Sequence, residues 1–143
     1  KKVQKARSKG PKNLTHIWHQ ENDFTFNELI DTESMIRAVN NPNVFQVALL
    51  RQAWWDSEKK KGGIYKTGFY KKGNVAGVNL VMHRNYFTFN PSIYLKKTVE
   101  EIPNFNEYSF LAHLHKKNCN GWSAFLGTMT DTPKVNHIGE EKV

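Results

Sequence analysis

Residues 66–89 read KTGFYKKGNVAGVNLVMHRNYFTF. The stretch opens on an aromatic run (Gly68, Phe69, Tyr70) and passes through Lys71-Lys72-Gly73-Asn74. It then climbs through Val75, Val78, Leu80 and Met82 to His83-Arg84-Asn85-Tyr86-Phe87. Two β-prone runs joined by a Lys/Gly/Asn turn predict a hairpin.

Upstream of the hairpin, NVFQVALLRQAWW (43–55) is rich in β-branched and aromatic residues with partial alternation, which predicts a strand with at least one buried face. The polar run DSEKKKGG (56–63) reads as a loop. Before the strand, Thr25-Phe26-Asn27-Glu28 fits a capping box, and Phe26, Leu29, Ile30, Ile36 and Val39 can share one helical face. Asn40-Asn41-Pro42 ends that pattern, so the region is one helix, or two short ones broken near Asp31-Thr32. Downstream, NPSIYLKKTV (90–99) reads as a strand and EEIPNFN as a turn. EYSFLAHLHKK and WSAFLGTM then form a second hairpin around Asn118-Cys119-Asn120-Gly121, followed by a polar tail of edge strand or coil. One helix followed by about six strands with hairpin turns predicts a mainly β, α+β domain, built as a small antiparallel barrel or sandwich.

The chain has 143 residues, enough for one domain with an ordinary core, here assigned to residues 15–143. Residues 1–12, KKVQKARSKGPK, carry six positive charges and no negative one, so residues 1–14 are expected to be an extended or disordered basic arm. The net charge is +8, which favours attraction to polyanions. Cys119 is the single cysteine, which excludes an internal disulfide framework and points to a reducing compartment. No run approaches the roughly 18 apolar residues needed to cross a bilayer. Together these imply a cytoplasmic protein without a membrane partner. The first residue is Lys1 rather than Met, so a processed product, a fragment or only the ordered part of something longer is expected.

Beyond the local patterns, the order of elements resembles the first barrel of the 3C-like cysteine proteases of picorna-like RNA viruses, over residues 28–100. The likeness lies in a helix, an NVFQVALLR strand, a polar loop, a G-F-x-x-x-G turn from Gly68 to Gly73, and an apolar strand ending in MHRNYF. It implies a chymotrypsin-like fold, a polyprotein substrate and, if the chain is viral, the host cytoplasm. It also implies that His83 is the general base, Glu100 or Glu101 the residue orienting it, and Cys119 the candidate nucleophile. Cys119 sits in KNCNGW rather than in the family's G-x-C-G motif, and too few residues follow for a second barrel. The resemblance therefore implies an N-terminal part or a degenerate relative.

The alternative is a basic, non-enzymatic module for RNA or DNA, with single-stranded RNA as the partner. Its candidate contacts are Lys1, Lys2, Lys5, Arg7 and Lys9 in the arm, the lysines at 59–61, and the pairs Lys71-Lys72, Lys96-Lys97 and Lys116-Lys117. Four of these lysine pairs or runs fall at predicted turns or strand ends, positions that could gather on one rim of a barrel. Trp54, Trp55, Trp122 and Phe125 are either stacking platforms or core residues.

A third reading takes His113-Leu114-His115 as the metal-binding pair of an HUH-type replication endonuclease. On a strand the two imidazoles would share a face, with Glu107 or His137 as a third ligand. FTFNP (87–91) is slightly similar to that family's first motif, but no tyrosine follows the pair. His16 and His19, flanking Trp18, could pair on a helix. No further ligand lies at motif spacing near either pair, so no bound metal and no cofactor are expected.

Overall fold

The computed structural model describes residues 14–51, 70–100, 102 and 110–138. The basic arm, the lysines at 59–61, Trp54, Trp55, Glu101 and Glu107 lie outside the described residues. In chain order the elements are β1 (His16–His19), β2 (Phe24–Phe26), α1 (Thr32–Val39), β3 (Val44–Ala48), β4 (Lys71–Val75) and β5 (Val78–His83). They continue with β6 (Ser92–Leu95), α2 (Lys96–Val99), α3 (Phe110–Lys117), β7 (Trp122–Leu126) and β8 (Val135–His137). The fold is mainly β with helices against a sheet, as the sequence predicts.

Six strands form one sheet in the order β1-β6-β3-β7-β5-β4, and β2 pairs with β8 in a separate ribbon. Two antiparallel trios, β1-β6-β3 and β7-β5-β4, are joined by a parallel β3–β7 pair. The sheet is therefore mixed rather than wholly antiparallel. Parallel neighbours need a crossover long enough to return the chain to the same end. Here α3 supplies the last leg, handing the chain to β7 through a turn in which the Trp122 amide bonds the Asn43 carbonyl at 2.8 Å.

Every residue of β3 is buried, as expected of a central strand covered on both faces. On one face Val47, Leu80, Ile93 and Ala124 pack against Met35, Ala38 and Val39 of α1. On the other, Phe45 and Tyr94 pack against Phe110, Leu111 and Leu114 of α3, while Val81 and Phe125 meet Tyr70 and Tyr86. Neighbours such as Leu80/Val81 and Ala124/Phe125 divide between the two faces, following the period-two alternation of a strand.

Four local expectations change. The hairpin forms, but Lys71-Lys72-Gly73-Asn74 lies within β4, and the turn is Ala76-Gly77 with φ of 53° and 82°. Two positive φ values define the tight turn that matches strand twist, and Gly73 instead leaves room for the Met82 sulfur across the ladder. The helix starts later than the capping box at Thr25. Thr25 belongs to β2, and Asp31 caps α1 by accepting from the Ser34 amide at 3.1 Å. Residues 90–99 divide into β6 and α2. The segment 110–117 is helical rather than the first strand of a hairpin, because Phe110, Leu111 and Leu114 form a helical stripe that the second core absorbs.

Candidate nucleic-acid interface

The strand registers place one set of chain ends together. Leu95 at the end of β6 faces His16 at the start of β1, and Val44 faces Trp122 at the starts of β3 and β7. His83 at the end of β5 faces Ser123, and Lys71 at the start of β4 faces Met82. Lys71, Lys72 and Arg84 follow directly from this, and all three are exposed. Lys96 and Lys97 open α2 immediately after β6, and Lys116 and Lys117 close α3 just before β7. The three lysine pairs among the described candidates therefore converge on one end of the sheet.

The opposite end carries the acids. Glu21 follows the end of β1, and Asp31 and Glu33 stand at the start of α1. Glu28 and Asp131 both lie within 4.0 Å of the Lys134 ammonium. Lys134 is fixed at that end by its amide bond to the Leu50 carbonyl, just past β3. Charge is thus separated along the strand direction, with Glu100 the one described acid at the basic end.

Trp122 sits at the centre of the basic end. The Arg84 guanidinium lies 4.1 Å from its ring centroid and the Lys71 ammonium 5.5 Å away. Both are cation–π distances, and together they make a half-exposed aromatic flanked by positive charge. Phe125, the other candidate stacking platform in this stretch, is buried in the core.

At the β1–β6 corner of the same end is a cavity of about 450 Å³. Leu14, Thr15, His16, Asn40, Leu95, Lys96, Lys97 and Glu100 line it. His16 Nε2 is 2.7 Å from Asn40 Oδ1 and its Nδ1 is 2.8 Å from Thr15 Oγ1. Since the amide oxygen only accepts, the ring proton sits on Nε2 and the threonine hydroxyl donates to Nδ1. Both nitrogens are thereby engaged. His16 and His19 lie on a strand, not a helix, so an i, i+3 pair points to opposite faces.

His83, the candidate general base, is buried between Tyr70, Tyr86 and Phe125, with ring centroids 4.4–5.4 Å away. Its Nδ1 accepts from the Asn85 amide at 3.2 Å, which leaves the proton on Nε2. Burial pushes its pKa from the ordinary 6.5 down to about 3. A base needs a lone pair open to its substrate. Here that lone pair is committed to a backbone amide, and the geometry lends the catalytic role no support.

Glu100 is exposed beside the cavity at the end of α2, which follows β6, and β3 and β7 separate β6 from β5. Three strand spacings amount to roughly 14 Å. Cys119 is exposed in the turn after α3, the turn that Asn118 pins to the Pro42 carbonyl. The three protease candidates are not brought into one constellation. His113 and His115 lie on α3, where a two-residue step turns about 200° around the axis, so they do not share a face. His115 Nε2 instead bonds the Gly121 carbonyl, and His137 pairs with Asp23 at 2.6 Å. Among the described residues no group of three His, Cys, Asp or Glu could hold a metal ion, and no helix is long and apolar enough to cross a membrane.

No protein-family model, curated protein or solved structure matches the chain. The likeness to a protease barrel therefore rests on the sequence pattern alone. Arg84 and the cavity residues Leu14, Thr15, Asn40 and Leu95 escaped sequence reasoning. Arg84 left a signal, a cation at the end of an apolar strand. The others are brought together only by the pairing of β1 with β6 and by the end of α1, where Asn40 reaches His16.

Proposed function

We propose that this domain binds single-stranded nucleic acid through the basic end of its sheet and performs no chemistry on it. The convergence of Lys71, Lys72, Arg84, Lys96, Lys97, Lys116 and Lys117 on one end of the sheet, with Lys71 and Arg84 against the half-exposed Trp122, carries this reading. Ammonium and guanidinium groups displace the counterions condensed on a phosphate backbone, while an aromatic face stacks an unpaired base. The acids at the far end favour an approach with the basic end leading.

Binding of a labelled single-stranded RNA, followed by anisotropy across a salt series, tests the proposal, with single-stranded DNA as a second arm. If four or five cations engage phosphates, log affinity falls with log salt at a slope of about −3. Raising salt from about 50 to 200 mM then weakens binding on the order of a hundredfold. Replacing Lys71 and Lys72 by Glu should flatten the slope and weaken binding to every sequence alike. Undetectable binding at low salt, or affinity indifferent to salt, refutes the proposal.

A further inference from the structure

The cavity at the β1–β6 corner is a half-open recess in the basic end, and electrostatic contact with a strand leaves it without a task. Its lining is of two kinds. Leu14 and Leu95 are apolar, while Lys96, Lys97 and Glu100 give the lining two cationic residues and one acidic one. The frame is fixed before any ligand arrives. The Lys96 amide bonds the Thr15 carbonyl at 2.9 Å, and His16 is clamped between Thr15 and Asn40. At about 450 Å³ the space is of the size that takes a small ligand.

We propose that this cavity holds one nucleotide and prefers guanine, its phosphate on Lys96 and Lys97, its base against Leu14 and Leu95, and its Watson–Crick edge toward Glu100. The inference rests on the reading of the basic end as a nucleic-acid interface. The choice of base follows from donor chemistry. An ionised carboxylate only accepts hydrogen bonds, and its two oxygens match two parallel donors. Guanine presents adjacent imino and amino N–H groups on that edge. Adenine and cytosine each place an acceptor beside their amino group, and uracil flanks its single imino group with carbonyls. An acceptor turned toward Glu100 would leave both groups without a donor, the situation that gives a hydrogen-bonding site its selectivity.

Calorimetric titration of the full chain with 5′-GMP, 5′-AMP and guanosine tests this, alongside strand binding. 5′-GMP should bind about tenfold or more tightly than 5′-AMP, and guanosine, lacking the phosphate, should bind more weakly than 5′-GMP. Lys96→Ala with Lys97→Ala should remove the advantage of 5′-GMP over guanosine. Glu100→Gln should narrow or reverse the preference, since a glutamine amide both donates and accepts and so suits adenine. Glu100 is exposed, so an unchanged melting temperature will show that the variant is folded. A strand with a 5′-terminal guanine that binds more tightly than its adenine counterpart shows that the nucleotide belongs to the strand. If only free 5′-GMP binds, with the Glu100→Gln effect, the cavity assignment stands and the strand interface falls. Equal affinity for the two nucleotides, or none for either, overturns the cavity assignment even where salt-dependent strand binding persists.

Discussion

The buried imidazole of His83 makes stability depend on pH in a defined window. Its pKa is about 3 in the folded protein against an ordinary 6.5, because the charged form would sit among Tyr70, Tyr86 and Phe125 without water. The folded pKa is depressed and the group is a base, so the folded state keeps it neutral while the unfolded chain protonates below about 6.5. Unfolding therefore takes up a proton. The domain loses stability as pH falls from about 6.5 toward 3, at roughly 1.4 kcal/mol per pH unit. Between pH 7.5 and 5 the loss from this residue comes to about 2 kcal/mol. His83→Phe keeps an aromatic ring in the site and cannot protonate. It forfeits the Asn85 amide bond, a cost of about 1 kcal/mol that is the same at both pH values and cancels in the difference. Urea unfolding of both proteins at the two pH values isolates the effect, because other titrating groups contribute to each alike. The wild type should weaken by about 2 kcal/mol more than the variant on going to pH 5. Equal pH dependence in the two proteins would refute the assignment of His83 as buried and neutral.

Three further perturbations follow from the packing. Ala76 holds a φ of 53° in the β4–β5 turn, so Ala76→Asn, giving the Asn-Gly pair that such turns favour, should raise stability by about 1 kcal/mol in urea titration. A Cβ added at Gly121 would meet the Phe45 ring, so Gly121→Ala should cost about 1–3 kcal/mol in the same assay. The Gln46 side chain bonds the Thr88 carbonyl at 2.6 Å, the Ser92 hydroxyl at 2.8 Å and, through its oxygen, the Thr88 amide at 3.0 Å. Gln46→Ala leaves those buried groups without partners and should lower stability by roughly 3 kcal/mol or more, detectable as a large fall in melting temperature.

The parts of this fold legible in the sequence are those written in neighbouring residues. The two strands of the central hairpin and the buried character of β3 were readable because apolar alternation and a continuous apolar run are local signals. The turn was misplaced because Lys-Lys-Gly-Asn has turn composition, whereas Gly73 is a glycine for a cross-strand reason, the Met82 side chain opposite it. Helix α3 was hidden because Phe110, Ala112 and Leu114 also alternate, and the stripe that decides the matter needs Leu111 to find a partner in the second core. The parallel β3–β7 pairing has no local signature. For the site, the lysine pairs were plain as charge. That they would meet at one end depends on strand directions, and the cavity depends on Asn40 reaching His16 from a different element.

Among the described residues, strand β7 is the sole ladder linking the β1-β6-β3 trio to the β5-β4 hairpin, since its neighbours are β3 on one side and β5 on the other. It is also the last strand of the sheet to leave a ribosome, and it pairs with β3, made long before it. Contacts of such wide sequence separation are slow to close. A nascent chain that has reached only α3 holds two half-sheets, each with an unpaired edge at what will become the middle of the domain. Such edges can recruit foreign strands. Cooperative folding therefore waits on the five residues Trp122–Leu126, and truncation before them removes the sheet's centre rather than its margin.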